Sequence, residues 1–93
     1  MIVSFNCEET KRIFEGDDSR RFPANIQVSA RRKLRQIDAA GALEDLRLPP
    51  GNRLEKLSGD REGQYSIRVN IQWRICFSWM DGDAFGVEIV DYH

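Results

Sequence analysis

The longest regular pattern in the chain runs from Ser66 to Ser78. Ile67, Val69, Ile71, Trp73, Ile75 and Phe77 alternate there without a break with Ser66, Arg68, Asn70, Gln72, Arg74, Cys76 and Ser78. A period of two predicts half-buried β structure. One strand from Ser66 to Trp79 would be more than twice the usual length, so the pattern favours a hairpin turning around Asn70 to Gln72. Residues opposite one another in a hairpin share a side of the sheet. A turn centred on Ile71 therefore pairs odd positions with odd and sets Arg68 opposite Arg74, on the side away from Ile67, Val69, Trp73 and Ile75. The alternative, a continuous strand, keeps both arginines on one face but about 20 Å apart.

Upstream the period lengthens. Ile26, Ala30, Leu34 and Ile37 recur every three or four residues and predict a helix from Ala24 to about Ala40, with its arginines opposite the apolar stripe. Before it, "CEETKRIFEGDD" predicts a short helix that opens on Glu8 and Glu9 and stops at Gly16. "IVSFN" predicts an opening strand from its β-branched and aromatic content. Gly41 interrupts the chain before a further turn through Leu46, and "RLPPGN" cannot continue a helix. "RLEKLSG" then predicts a short strand, "GDREG" a loop, "MDGD" a turn, and "AFGVEIVD" a last strand with Phe85, Val87 and Ile89 on one face. This order predicts an α+β fold, a small antiparallel sheet with two N-terminal helices packed on one face.

At 93 residues the chain is the size of one small domain, taken as 1–93. Neither Cys7 nor Cys76 lies in a metal-ligand spacing, so no metal or other cofactor is expected. No apolar run is long enough for a membrane span, and the start lacks the pattern of a secretion signal. A cytoplasmic protein with reduced thiols is the expectation.

The formal net charge is -1, which argues against binding nucleic acid by bulk charge. Its distribution changes the picture. Eleven of the fourteen basic residues are arginine, whose planar fork suits phosphate and carboxylate. From Arg20 to Arg35 no acidic residue occurs, whereas the chain beyond Met80 carries Asp81, Asp83, Glu88 and Asp91.

Two like charges facing each other across a sheet repel. Arg68 and Arg74 therefore call for compensation, either from an acidic neighbour such as Asp91 or Glu88 or from an anionic ligand such as phosphate. Trp73 and Trp79 fall on the core side and read as packing, as does Tyr65. Cys76 falls on the arginine side, with nothing near it in sequence to activate a thiolate. His93, the one histidine, is the last residue; position alone reads it as a frayed end.

"LSGDREGQYSIRVNIQWRICFSW" together with a terminal "VEIVDYH" resembles the HigB-type (host-inhibition) toxins of bacterial toxin–antitoxin systems, in the RelE/ParE superfamily. The likeness extends from "MIVSF" through "LPPGNRLEKLSGD" and covers nearly the whole chain. It implies a RelE-like fold and a ribosome-dependent, metal-independent mRNA endoribonuclease that uses the RNA 2′-hydroxyl as nucleophile. By the resemblance, Arg68 and Arg74 hold the scissile phosphate, His93 is the general acid or base, and Tyr92 stacks on a base or orients the phosphate. Asp91 pairs with an arginine or fixes the imidazole. Lys56 and Arg61 contact RNA backbone, and Arg31, Arg32, Lys33 and Arg35 meet ribosomal RNA. Some relatives carry a further histidine before the Gly-Asp-Arg loop; here Glu55 or Lys56 takes its place, or His93 acts alone.

The partners implied are a HigA-type helix-turn-helix antitoxin, the ribosome and its mRNA, and operator DNA only through the antitoxin. Two competing readings of the same scaffold are a non-catalytic, gyrase-targeting inhibitor of the ParE type and an inactive co-repressor module.

Overall fold

The computed structural model describes residues 1–92. Two helices, α1 (Glu8–Phe14) and α2 (Ala24–Ala39), precede four strands: β1 (Glu55–Lys56), β2 (Gln64–Arg68), β3 (Trp73–Met80) and β4 (Asp83–Asp91). The strands form one antiparallel sheet in the order β1-β2-β3-β4. Each strand thus neighbours the next in sequence, a meander that short turns can connect.

The stripe predicted on α2 is the buried one. Ile26, Ala30, Leu34 and Ile37, joined by Ile13 of α1, pack against Ile67, Ile75, Phe77, Val87 and Ile89 of the sheet. Burying each large aliphatic or aromatic side chain contributes ~1.5–3 kcal/mol, which holds both helices on this one face. The segment between α2 and β1 is clamped by a polar side chain instead. Buried Asn52 donates through Nδ2 to the carbonyls of Leu46 at 3.1 Å and Leu48 at 3.2 Å and to Gln36 Oε1 at 3.3 Å, while its Oδ1 accepts from Lys33 Nζ. Among the described residues no helix is long and apolar enough to cross a membrane.

The hairpin follows the alternation. Arg68 pairs with Arg74, Ile67 with Ile75 and Tyr65 with Phe77 across β2 and β3. Asp81 and Gly82, at φ 53° and 83°, make the two-residue turn into β4, the left-handed pair that matches strand twist.

Three expectations need correction. "RLEKLSG" pairs only at Glu55 and Lys56, because Arg53 adopts a left-handed φ of 45° and 3-10 turns occupy Pro50–Asn52 and Gly59–Arg61. Phe85 does not share a face with Val87 and Ile89. Ser78 pairs with Phe85 while Cys76 pairs with Glu88, so β4 holds one residue more than β3 across that step. Gly86, at φ 60°, absorbs this bulge and turns Phe85 to the other side. The opening "IVSFN" is not a strand but two isolated parallel bridges, Ile2 to Ala84 and Phe5 to Val87. The bulge breaks any ladder between them, and Gly86 N–H donates to Ser4 Oγ instead.

A Cβ at position 86 would stand 3.0 Å from Asn6 Nδ2, on a backbone that side chains rarely adopt. Gly86→Ala is expected to destabilise the chain by ~1–3 kcal/mol, read as a lowered midpoint in thermal melts. An unchanged midpoint would show that the bulge relaxes without cost.

Candidate active site

The sheet face turned away from the helices carries the charged residues in two rows. Register aligns Glu55, Ser66, Cys76 and Glu88 in one row and Arg68, Arg74 and Val90 in the next. Strand alternation puts them on this face because every other residue of the same strands is needed in the core.

Arg74 is the centre of this face. Its side chain is only 9% exposed, which for an arginine requires that its donors be met. Nε donates to Ser66 Oγ at 2.8 Å and one terminal nitrogen donates to the Arg53 carbonyl at 2.7 Å. The other lies 3.8 Å from Glu55 Oε1, and the guanidinium carbon sits 5.7 Å from the centroid of the Tyr92 ring. A fork held on several sides loses little further freedom when an anion arrives. The left-handed backbone of Arg53 is what turns its carbonyl toward this group.

Arg68 is half-buried, and its Nε donates to the Asn70 carbonyl at 3.1 Å. Among the described residues it forms no ion pair. The expected compensation is therefore corrected in identity. Glu88 pairs with Arg61, Oε2 to nitrogen at 3.3 Å; Glu55, in the same row but reaching in from the edge strand, is the acid beside Arg74. Glu55 is 53% exposed, so its carboxylate remains open to solvent and substrate.

Arg61 also donates to Gln64 Oε1 at 3.1 Å and borders the same face. Lys56 aligns with Tyr65, on the opposite side of β1 from Glu55. Of the two residues near the Gly-Asp-Arg loop, only Glu55 joins the arginines. Asp91 aligns with Trp73, away from the arginine row, and its Oδ2 accepts from Gln72 Nε2 at 3.1 Å. Tyr92 is 42% exposed and its N–H donates to the Gln72 carbonyl at 2.6 Å. His93, with the role expected of it, lies outside the described residues.

The basic run on α2 is on the other layer. Arg31 donates to the Ile13 carbonyl at 2.7 Å and the Asp17 carbonyl at 3.1 Å, closing the C-terminal end of α1. Lys33 turns to Asn52, and partial burial, with Arg32 alongside, pushes its pKa below the usual lysine value. Arg32 and Arg35 are exposed.

Cys76 is buried beneath the arginine face. Burial pushes its thiol pKa up, and of the charges beside it Arg61 and Arg74 oppose that rise while Glu88 adds to it. The net result is a neutral thiol near pH 7, not a nucleophile. Among the described residues no three His, Cys, Asp or Glu side chains group closely enough to hold a metal ion.

Sequence reasoning missed Ser66, Asn70, Gln72 and the Arg53 carbonyl as supports of the site. Ser66 was within reach, since the hairpin register places it on the row beside Arg74. The Arg53 carbonyl had no signal, because a non-glycine residue gives no warning of a positive φ.

A family model described as the RelE-like toxin of type II toxin-antitoxin system HigB matches residues 3–93. The Vibrio cholerae protein named Toxin HigB-1 is 45% identical over 85 residues, 90% of each chain. The Proteus vulgaris protein named Endoribonuclease HigB is 37% identical over 93 residues, the whole of both chains. Among solved structures, a chain of the YoeB-YefM complex from Staphylococcus aureus shares the fold, with a TM-score of 0.56 at 23% identity, over 100% of this chain and 95% of that one.

Proposed function

The chain belongs to the HigB-like family of RelE-like type II toxins, and from that premise we propose that it is an endoribonuclease that cuts mRNA in the decoding site of the ribosome. A toxin of such a system has a cognate antitoxin; the partner proposed is of the HigA type, with a helix-turn-helix domain. The site of action is the cytoplasm. The name of the Proteus vulgaris relative, Endoribonuclease HigB, supports RNA cleavage.

One observation carries the reading. Arg68 and Arg74 stand in register on one face with the carboxylate of Glu55 and the ring of Tyr92 beside Arg74. An RNA phosphodiester needs these groups in its reaction. The 2′-hydroxyl loses its proton, its oxygen bonds to phosphorus, and the bond from phosphorus to the 5′-oxygen breaks with a proton delivered to the leaving oxygen. Glu55 is the proposed acceptor of the first proton and His93 the donor of the second. Arg68 and Arg74 neutralise the charge that develops on the phosphorane. Tyr92 stacks on a base or orients the phosphate.

Arg61 contacts RNA backbone from the rim of this face, and Lys56 does so from the outer strand. Asp91 orients His93. Arg32 and Arg35 carry the contact with ribosomal RNA, with Arg31 and Lys33 shaping the surface that presents them.

Mapping of mRNA 5′ ends in translating extracts tests the proposal. New cuts in register with codons are expected with the wild-type chain and only with ribosomes, and His93→Ala should reduce them by ~10²-fold or more. Intact mRNA with the wild type overturns the proposal, and altered DNA supercoiling in the same cells would favour a non-catalytic inhibitor. Full cutting by His93→Ala would remove the role given to the terminal residue.

A further inference from the structure

The hairpin between β2 and β3 is held to the core by Val69 and Trp73 on either side of its tip, but not at the apex itself. Ile71 at its apex is 85% exposed, and an apolar side chain left in water does nothing to fix the backbone that bears it. The backbone N–H groups of Val69 and Asn70 donate to the Trp73 carbonyl at 2.9 and 3.2 Å, and one polar side chain closes the rest of the turn. Asn70 Oδ1 accepts from the backbone N–H of Gln72 and of Trp73, both at 2.8 Å, a local closure for which asparagine is suited.

Three groups of the arginine face and its C-terminal border hang from this tip. Arg68 Nε donates to the carbonyl of Asn70 itself. Tyr92 N–H donates to the Gln72 carbonyl, and Gln72 Nε2 donates to Asp91 Oδ2. The rotation of two peptide groups in the turn therefore bears on where the Arg68 guanidinium points and where Tyr92 leaves β4.

We propose that Asn70 is a positioning residue for the reaction: by closing the turn it aims Arg68 and docks Tyr92 against Arg74. This rests on the RNA-cleaving function proposed above. Asn70 acts through the carbonyls of the turn and is given no contact with substrate. Displacements of ~1 Å at reacting groups cost ~10²-fold in rate, so a turn that loses its closure has leverage on catalysis out of proportion to its effect on stability.

The test uses the full chain as wild type, Asn70→Ala and Asn70→Asp, the last of which keeps the acceptor oxygen. Three quantities are read in parallel: the single-turnover rate of mRNA cleavage at saturating toxin, the toxin concentration at half-saturation, and hydrogen exchange of the Tyr92 amide. Asn70→Ala should lower the saturated rate about tenfold or more, leave half-saturation unchanged and speed exchange at Tyr92. Asn70→Asp should restore all three.

Undiminished cutting by Asn70→Ala beside an active wild type overturns this inference alone. So does a loss that Asn70→Asp fails to restore, or one that appears only as weaker half-saturation. A wild-type chain that cuts no RNA removes the proposed function and this inference with it.

Discussion

Arg74→Lys is expected to fold and to lose ~10²-fold or more of its RNA-cleaving rate, the scale seen when one charge-stabilising donor is removed from a preorganised site. Lysine keeps the charge but not the fork. Arg74 meets Ser66 Oγ, the Arg53 carbonyl and Glu55 with three different nitrogens while its carbon sits over the Tyr92 ring. A single ammonium on a flexible stem cannot hold those directions together.

Arg74→Ala goes further, since it strands Ser66 at a buried position and takes the donor from the part-buried Arg53 carbonyl. Each unsatisfied group costs ~1–3 kcal/mol, so this variant should lose stability as well as rate. Arg68→Ala separates the two effects. Arg68 is only half-buried and its Nε meets the turn alone, so it should lose rate with little change in stability. Cleavage assays beside thermal melts on the three variants decide the matter. Wild-type rates in Arg74→Lys would mean that the charge suffices and the held geometry is incidental.

Phe77→Ala is expected to cost ~3–5 kcal/mol, against a total stability of ~5–15 kcal/mol for domains in general. Phe77 is fully buried on β3, which has a partner strand on each side. Its ring lies 6.4 Å from that of Tyr65 and 6.4 Å from that of Trp79. Rigid strands on both flanks leave no easy way for the core to close over the vacated volume. Urea unfolding should show a much lower midpoint with an unchanged slope. A loss below ~1 kcal/mol, typical of a site able to collapse, would refute this account of the core.

The hairpin was legible because its alternation is long and unbroken. Burying Ile67, Ile75 and Phe77 leaves only one parity for the turn, and that parity forces Arg68 to face Arg74. The α2 stripe was legible for the same kind of reason, as was the Asp81 and Gly82 turn, whose residue types match its dihedral angles. The last strand misled because its alternation contains a glycine. Read as a plain strand, Gly86 is one more position; with a φ of 60° it is an inserted one, and Phe85 changes sides.

The chain's own pattern of apolar and polar positions thus determined the fold class, the packed face of α2 and the pairing of two arginines, because each follows from local periodicity and the need to bury one side. Partners for those arginines were decided only by tertiary structure. Glu55 and the Arg53 carbonyl come to Arg74 from a separate edge segment, and Tyr92 comes from the far end of the chain. Such meetings depend on loop paths and on one left-handed residue, which no periodicity encodes. Glu88 looked as suitable as Glu55 by charge and lies in the same row of the sheet; Arg61, 3.3 Å away, pairs with it instead.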